Sequence, residues 1–311
     1  MYIFNSSGNI FTASGNKTED LKLYLKLNKS FNDVAFDVEN DKFYVALNEN
    51  TIYEYDYGTF TQVGTKYTEG TVKDMYFRDG YLIAVSKVAN SRTILEKVRV
   101  WETPLKTIDL KNYKVRDSVI HDKKPIVYFV DDTNSKVVSV NYVTGEIKEG
   151  NINHSPNCLD IYNGEIYVGC GQNKVIYIYD GDTLELKDEI ISVTAFDDMA
   201  VGNDGYIYII GDGYVKSLSR TLKQEFSSRE VRYFGKMEKH PVRNVFYFTT
   251  QGVSPADIYA FEYDNGSIVN VHDSPYHGDY SLVTNFKISP DGKSCLMVPG
   301  PYLNAMRIKK I

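Results

Sequence analysis

Residues 157–190 read NCLDIYNGEIYVGCGQNKVIYIYDGDTLELKDEI. The stretch divides into an apolar strand, a tight polar turn at Asn163-Gly164, a strongly apolar aromatic strand, a short loop, an alternating strand, a second turn and a more polar strand. Short runs rich in Val, Ile and Tyr, bounded by Gly, Asn and Asp, are strand signals. A Gly after Asn or Asp supplies the positive φ that a two-residue hairpin needs.

The same unit recurs along the chain. Residues 34–64 read VAFDVENDKFYVALNENTIYEYDYGTFTQVG, and residues from 196 read FDDMAVGNDGYIYIIGDGYVKSLSRTLKQEF. Copies also begin at Asp74 (DMYFRDGYLIAVS) and Val115 (VRDSVIHDKKPIVYFV). Val38, Phe77, Ile120, Ile161, Val201, Met237 and Ile288 mark the ends of the successive first strands. Their spacing is about 40 residues, the period of a β-propeller blade with four strands. The last interval is wider, because the loops at 250–257 and 272–283 are long. Asp79-Gly80, Asn163-Gly164, Asp204-Gly205 and Asp291-Gly292 repeat the first turn. No stretch of a dozen residues sustains a 3.6-residue period, so few helices are expected.

The expected fold is therefore all-β: one domain over 1–311, a seven-bladed β-propeller of four-stranded antiparallel blades. Residues 34–283 supply six blades and 284–311 supply three strands of the seventh. Residues 1–33 close the ring, with LKLYLKL (21–27) as the missing outer strand. Residues 1–14 are then surplus, an added hairpin on the last blade. Pairing the two chain ends in one sheet removes an exposed edge.

Composition excludes several classes. Apolar residues make up 42% and charged residues 24% of the chain, which is ordinary globular usage. The 26 Tyr and 15 Phe favour pleated, half-buried surfaces. A net charge of −6 and the lack of a Lys/Arg stripe argue against a nucleic-acid partner. No apolar run approaches the ~20 residues of a membrane span. The start, MYIFN, has no basic n-region or apolar h-region, so a cytoplasmic or virion location is expected. Cys158, Cys170 and Cys295 sit in apolar strand-like runs and fit no metal spacing; they read as buried thiols.

Three stretches carry a resemblance. FKISPDGKSCLMV (286–298), KHPVRNVFYF (239–248) and VVSVNYVTGEI (137–147) resemble blades of the broad propeller superfamily, of the TolB-like, YVTN-like and WD-repeat-like kinds. The Gly-His and Trp-Asp dipeptides of true WD repeats are absent. The resemblance implies a fold, and that fold hosts enzymes, binding scaffolds and virion parts alike.

Candidate chemistry follows from where loops fall in such a fold. Loops between blades gather on one face, where ligand sites collect; the first-to-second turns lie on the other. His121 and His240 fall in those turns and read as solvated. His154, His272 and His277 fall in inter-blade loops. The segment VHDSPYHGDY (271–280) concentrates His272, Asp273, Tyr276, His277, Asp279 and Tyr280. Imidazole and carboxylate groups together can hold a metal or exchange protons; a loop ordered by its own Tyr packing, or one that binds a partner, is the competing explanation. Tyr57, Phe60, Tyr67, Tyr113, Tyr233 and Tyr302 are further loop aromatics, suited either to an interface or to packing between blades. Asp131-Asp132, Asp197-Asp198 and Asp180/Asp182 are candidate calcium ligands, but no loop has an EF-hand-like spacing; Asp180 and Asp182 read as turn caps, and Asp198, on a first strand, is the one that could ligate at the channel mouth.

No nucleophile elbow, phosphate loop or HExxH motif is present. The expected function is a non-enzymatic scaffold binding a protein or glycan partner, with His154, Tyr276, Tyr280 and Tyr302 as contact residues, no cofactor and no assigned metal. A place in a larger assembly, such as a phage virion or tail-like particle, is its more specific form. The alternative is a propeller hydrolase or lyase with its site at the His272/His277 loop, Asp273 and Asp279 included.

Overall fold

A computed structural model describes residues 2–5, 9–12, 22–26, 31–59, 61–88, 92–99, 104–110, 113–192, 194–211, 214–220, 224–230, 234–250, 258–263, 267–272, 283–290, 292, 294–299 and 305–310. Three short strands come first: β1 (Tyr2–Asn5), β2 (Asn9–Thr12) and β3 (Lys22–Lys26). Six four-stranded antiparallel sheets follow. The first holds β4 (Phe31–Asp37), β5 (Lys42–Leu47), β6 (Thr51–Asp56) and β7 (Gln62–Tyr67). The second holds β8 (Thr71–Arg78), β9 (Tyr81–Lys87), β10 (Thr93–Arg99) and β11 (Pro104–Asp109). The third holds β12 (Val115–Ile120), β13 (Ile126–Asp131), β14 (Lys136–Asn141) and β15 (Ile147–Asn151). The fourth holds β16 (Cys158–Tyr162), β17 (Glu165–Cys170), β18 (Val175–Asp180) and β19 (Leu186–Ile191). The fifth holds β20 (Asp198–Val201), β21 (Ile207–Gly211), β22 (Tyr214–Ser219) and β23 (Gln224–Glu230). The sixth holds β24 (Phe234–Lys239), β25 (Val245–Thr250), β26 (Ile258–Glu262) and β27 (Ser267–His272).

The seventh sheet has six strands and takes in both ends of the chain. β28 (Val283–Ile288), β29 (Ser294–Pro299) and β30 (Ala305–Lys310) are joined by the three N-terminal strands, in the order β28-β29-β30-β1-β2-β3. The strand against β30 is β1, with Tyr2 opposite Ile308. The LYL stretch expected in that place lies instead in β3, at the outer edge. The Tyr2–Asn5 segment holds the inner position, with β2 paired on its other side. The first sheet also begins at Phe31, slightly before the expected boundary.

Among the described residues there is no α-helix, only a 3-10 turn at Gly171–Asn173. None of their helices is long and apolar enough to cross a membrane.

Apolar side chains are buried between sheets rather than in one central core. On β13, Val127 and Phe129 pack toward the second sheet with Ile83, Val85 and Leu95. Their neighbours Tyr128 and Val130 pack toward the fourth with Leu159, Ile166 and Val168. On β21, Ile207 and Ile209 meet Ile176 and Ile178 of the fourth sheet, while Tyr208 and Ile210 meet Phe246 and Phe248 of the sixth. A strand covered on both faces needs apolar residues at every position, which is why the second strands read as unbroken apolar runs.

The tight turns have the expected backbone. Asp79 and Gly80 have φ of 50° and 76°, and Asn163 and Gly164 have φ of 49° and 77°. First strands of successive sheets lie side by side: β4 by β8, β12 by β16, β16 by β20, β20 by β24, β24 by β28, and β28 by β4.

Candidate functional site

The first strands carry the densest described chemistry. Several contain a β-bulge, an extra residue that re-aims the side chains after it. The pairing shifts past Asn32 in β4, Lys73 in β8 and Arg116 in β12. An aspartate follows each bulge: Asp33, Asp74 and Asp117.

These aspartates reach the neighbouring sheet. Asp33 Oδ2 accepts the Met75 N–H at 2.6 Å. Asp117 Oδ2 accepts the Leu159 N–H at 3.0 Å. Further on, Asp160 Oδ2 accepts the Val201 N–H at 2.7 Å, and Asp198 Oδ2 accepts the Met237 N–H at 2.9 Å. Asp74 accepts from the Ser118 hydroxyl at 3.0 Å, which also meets the Tyr76 hydroxyl at 2.8 Å. A buried N–H left without an acceptor costs free energy, and Asp33, Asp117, Asp160 and Asp198 each satisfy one in the next sheet.

Lysines and an asparagine make matching bonds to carbonyls. Asn32 Nδ2 donates to Val72 O at 2.8 Å, and Lys239 Nζ to Val201 O at 2.9 Å. Lys73 Nζ donates to the Val115 and Arg116 carbonyls. Lys287, on β28, brings the seventh sheet to the first two. Its Nζ lies 2.8 Å from Asp33 Oδ2, 3.1 Å from Met75 O and 4.7 Å from the centre of the Tyr76 ring.

Burial sets the electrostatics here. Asp33 is fully buried, and desolvation pushes its carboxyl up to about 6 against the pull of Lys287. The attraction of Asp33 and Asp74 holds the Lys287 ammonium above its ordinary value despite burial. Burial lowers Lys73 and drives Tyr76 well upward. Ammonium and carboxylate groups are thus committed to one another and to backbone groups. Among the described residues, no group of three or more His, Cys, Asp or Glu is placed to hold a metal ion.

Of the residues singled out in the sequence, His154 is half-buried; its Nδ1 lies 2.6 Å from the Tyr177 hydroxyl and its ring stacks on that tyrosine. His272 ends β27, opposite Ile258 on β26. Asp273, Tyr276, His277, Asp279, Tyr280 and Tyr302 lie outside the described residues, as do Phe60 and Tyr233. Tyr57 packs edge-on against Phe36 and Phe43, and Tyr113 against Phe129, which is internal packing. Tyr67 is 65% exposed on β7.

His121 and His240 are not solvated. They are 5% and 4% exposed, and each Nδ1 accepts two backbone N–H groups of its own turn. Asp131 and Asp180 cap turns, Asp131 through the Thr133 and Asn134 amides and Asp180 through those of Asp182 and Thr183. Cys158 and Cys170 are buried thiols, with Cys170 pushed up to about 12 by desolvation.

The belt of first-strand aspartates went unread in the sequence apart from Asp198. Its signal was there: an acidic residue recurring with the sheet repeat of about 40 residues at Asp33, Asp74, Asp117, Asp160 and Asp198. No family model matches the chain, and no curated protein matches it.

Proposed function

We propose that the seven sheets are blades of a closed seven-bladed β-propeller, and that the protein is a non-enzymatic scaffold binding a protein or glycan partner within a larger assembly. The belt of sheet-to-sheet bonds supports this reading. It uses the polar groups of the first strands for rigidity, and a rigid frame lowers the ordering cost of binding. The outer strands leave apolar side chains in water: Val63 and Tyr67 on β7 are 53% and 65% exposed, and Leu186 and Ile191 on β19 are 52% and 60% exposed. Val63 is the extra residue of a β-bulge in β7, and Tyr67 ends the same strand. Exposed aromatic and aliphatic groups on outer strands suit a protein partner. A phage virion or tail-like particle is the more specific assembly.

Sedimentation of lysate from the source cells tests the proposal. The wild-type chain is expected to travel with high-mass material, and the pair Tyr67→Asp and Ile191→Asp to shift it to the free fraction by about tenfold, the effect of losing about 1.4 kcal/mol of contact. A chain that always sediments as a free monomer overturns it. So does a turnover activity that is abolished by His272→Ala with His277→Ala while the fold is kept.

A further inference from the structure

His240 stands in the turn from β24 to β25. Its Nδ1 accepts the N–H of Val242 at 3.1 Å and of Arg243 at 2.9 Å. A neutral imidazole carries one ring proton. Donors face both ring nitrogens, but only Nε2 has an acceptor beside it among the described residues, the carbonyl oxygen of Gly292 at 3.1 Å in the turn from β28 to β29, which places the proton there. One side chain therefore closes its own turn and ties the sixth sheet to the seventh. Gly292 fits the contact because a Cβ there would run into the imidazole.

Both roles require the neutral ring. A second proton could go only to Nδ1, where it would face two N–H donors. Arg243 adds a positive charge and directs its own Nε–H at the same Nε2 from 3.2 Å, a donor that a protonated Nε2 cannot satisfy. Among the described residues, the other charged or titratable neighbours do little to favour that proton. Tyr247 lies 6.4 Å away ring to ring, its hydroxyl bonded to Arg243. Lys239 is bonded to Val201 O, Asp198 to the Met237 amide, and Glu238 acts on Lys287. In sequence, Gly292 is flanked by Asp291 and Lys293.

We propose that His240 is a proton-operated tie: its protonation releases its turn and its bond to Gly292, loosening from the sixth sheet the one sheet that holds both chain ends. Desolvation and Arg243 hold its pKa below the ordinary value, so the tie contributes fully above the unfolded value and is lost as pH falls through the lower folded one. His121 is an internal comparison. It caps its turn in the same way, but Asp122 lies 2.8 Å from its Nδ1 and the space over Gly164 in the next sheet is open.

Hydrogen exchange at about pH 7.5 and about pH 5, corrected for intrinsic rates, tests this. Protection over 241–246 and 286–296 is expected to fall at least about tenfold on acidification, while that over 161–168 holds within about twofold. His240→Asn supplies a non-titrating acceptor of the kind Asn141 already provides to the Val143 and Thr144 amides, and should abolish the drop. No drop in the wild type, a uniform drop over all sheets, or an equal drop in the variant overturns the proposal. Should the variant not fold, an NMR titration of wild-type His240 decides. A midpoint below about 6.5 with the Nε2-protonated tautomer supports the tie, and a midpoint at or above it, or the other tautomer, overturns it.

Discussion

Lys287 and Asp33 show how much a single pair can carry. The two residues are 254 apart in sequence and 2.8 Å apart in space. Removing the ammonium leaves a buried carboxylate without its cation, at a cost of about 3–5 kcal/mol. Lys287→Met should therefore unfold at a lower denaturant concentration than wild type at neutral pH. The penalty should shrink toward pH 5. Asp33, already pushed up to about 6, would titrate still higher without Lys287, so the folded state binds a proton that the unfolded chain has lost. Stability of this variant then falls as pH rises, and urea titrations at the two pH values read the difference directly. A penalty independent of pH would mean that Asp33 is not the group left stranded. None of this was legible in the sequence: the partner of Asp33 is a backbone amide 42 residues away, and a single chain does not display which amides lack an acceptor. His121 and His240 were misjudged for the same reason. Their partners are main-chain groups of their own turns, and a polar residue in a turn looks solvated until those are counted.

Strands and turns were far more readable. Strand identity follows from apolar runs such as Glu165–Cys170 and from the Asp-Gly and Asn-Gly pairs, because both depend on local chemistry. Bulges are less visible, since Asn32, Lys73 and Arg116 look like any polar residue at a strand start. Two glycines separate the local rule from the spatial one. At Gly80 φ is 76° and no atom stands near where a Cβ would be, so Gly80→Val should cost only the backbone strain, about 1–2 kcal/mol. At Gly171 a Cβ would strike the Phe196 carbonyl, so even Gly171→Ala displaces main chain and should lower the melting temperature more than Gly80→Val does. The reverse order in thermal melts would contradict the packing of the fourth sheet against the fifth. The candidate site was least legible at this scale. Its loop at 273–280 lies outside the described strands, and only His272 and His154 can be placed on the framework.

Across the molecule, the period of about 40 residues was the strongest signal, and it led to seven repeated antiparallel sheets. The join of the chain ends was anticipated as a shared sheet, but with the wrong strand beside β30: the stretch with the better strand pattern, residues 22–26, lies outermost, and the tetrapeptide at Tyr2–Asn5 makes the contact. Pattern strength reports burial and does not rank strands by position. Deleting residues 1–26 should bare the β30 edge, which then has no partner on that side. The truncated chain is expected to self-associate in sedimentation velocity as concentration rises. A well-behaved monomer with an unchanged melting temperature would show that β1 to β3 are dispensable.

The distances along the chain between bonded first strands also bear on how the molecule is made. The joins from Asp33 to Met75, Asp117 to Leu159, Asp160 to Val201 and Asp198 to Met237 span 42, 42, 41 and 39 residues. A ribosome adding about 5–20 residues per second delivers each partner within seconds of the last. Those joins can form in turn while the chain is still growing. The bond between Lys287 and Asp33 cannot; it waits for nearly the whole polypeptide. Until then Asp33 stays without its cation, and a chain ended anywhere before residue 287 is left with that seam unmade.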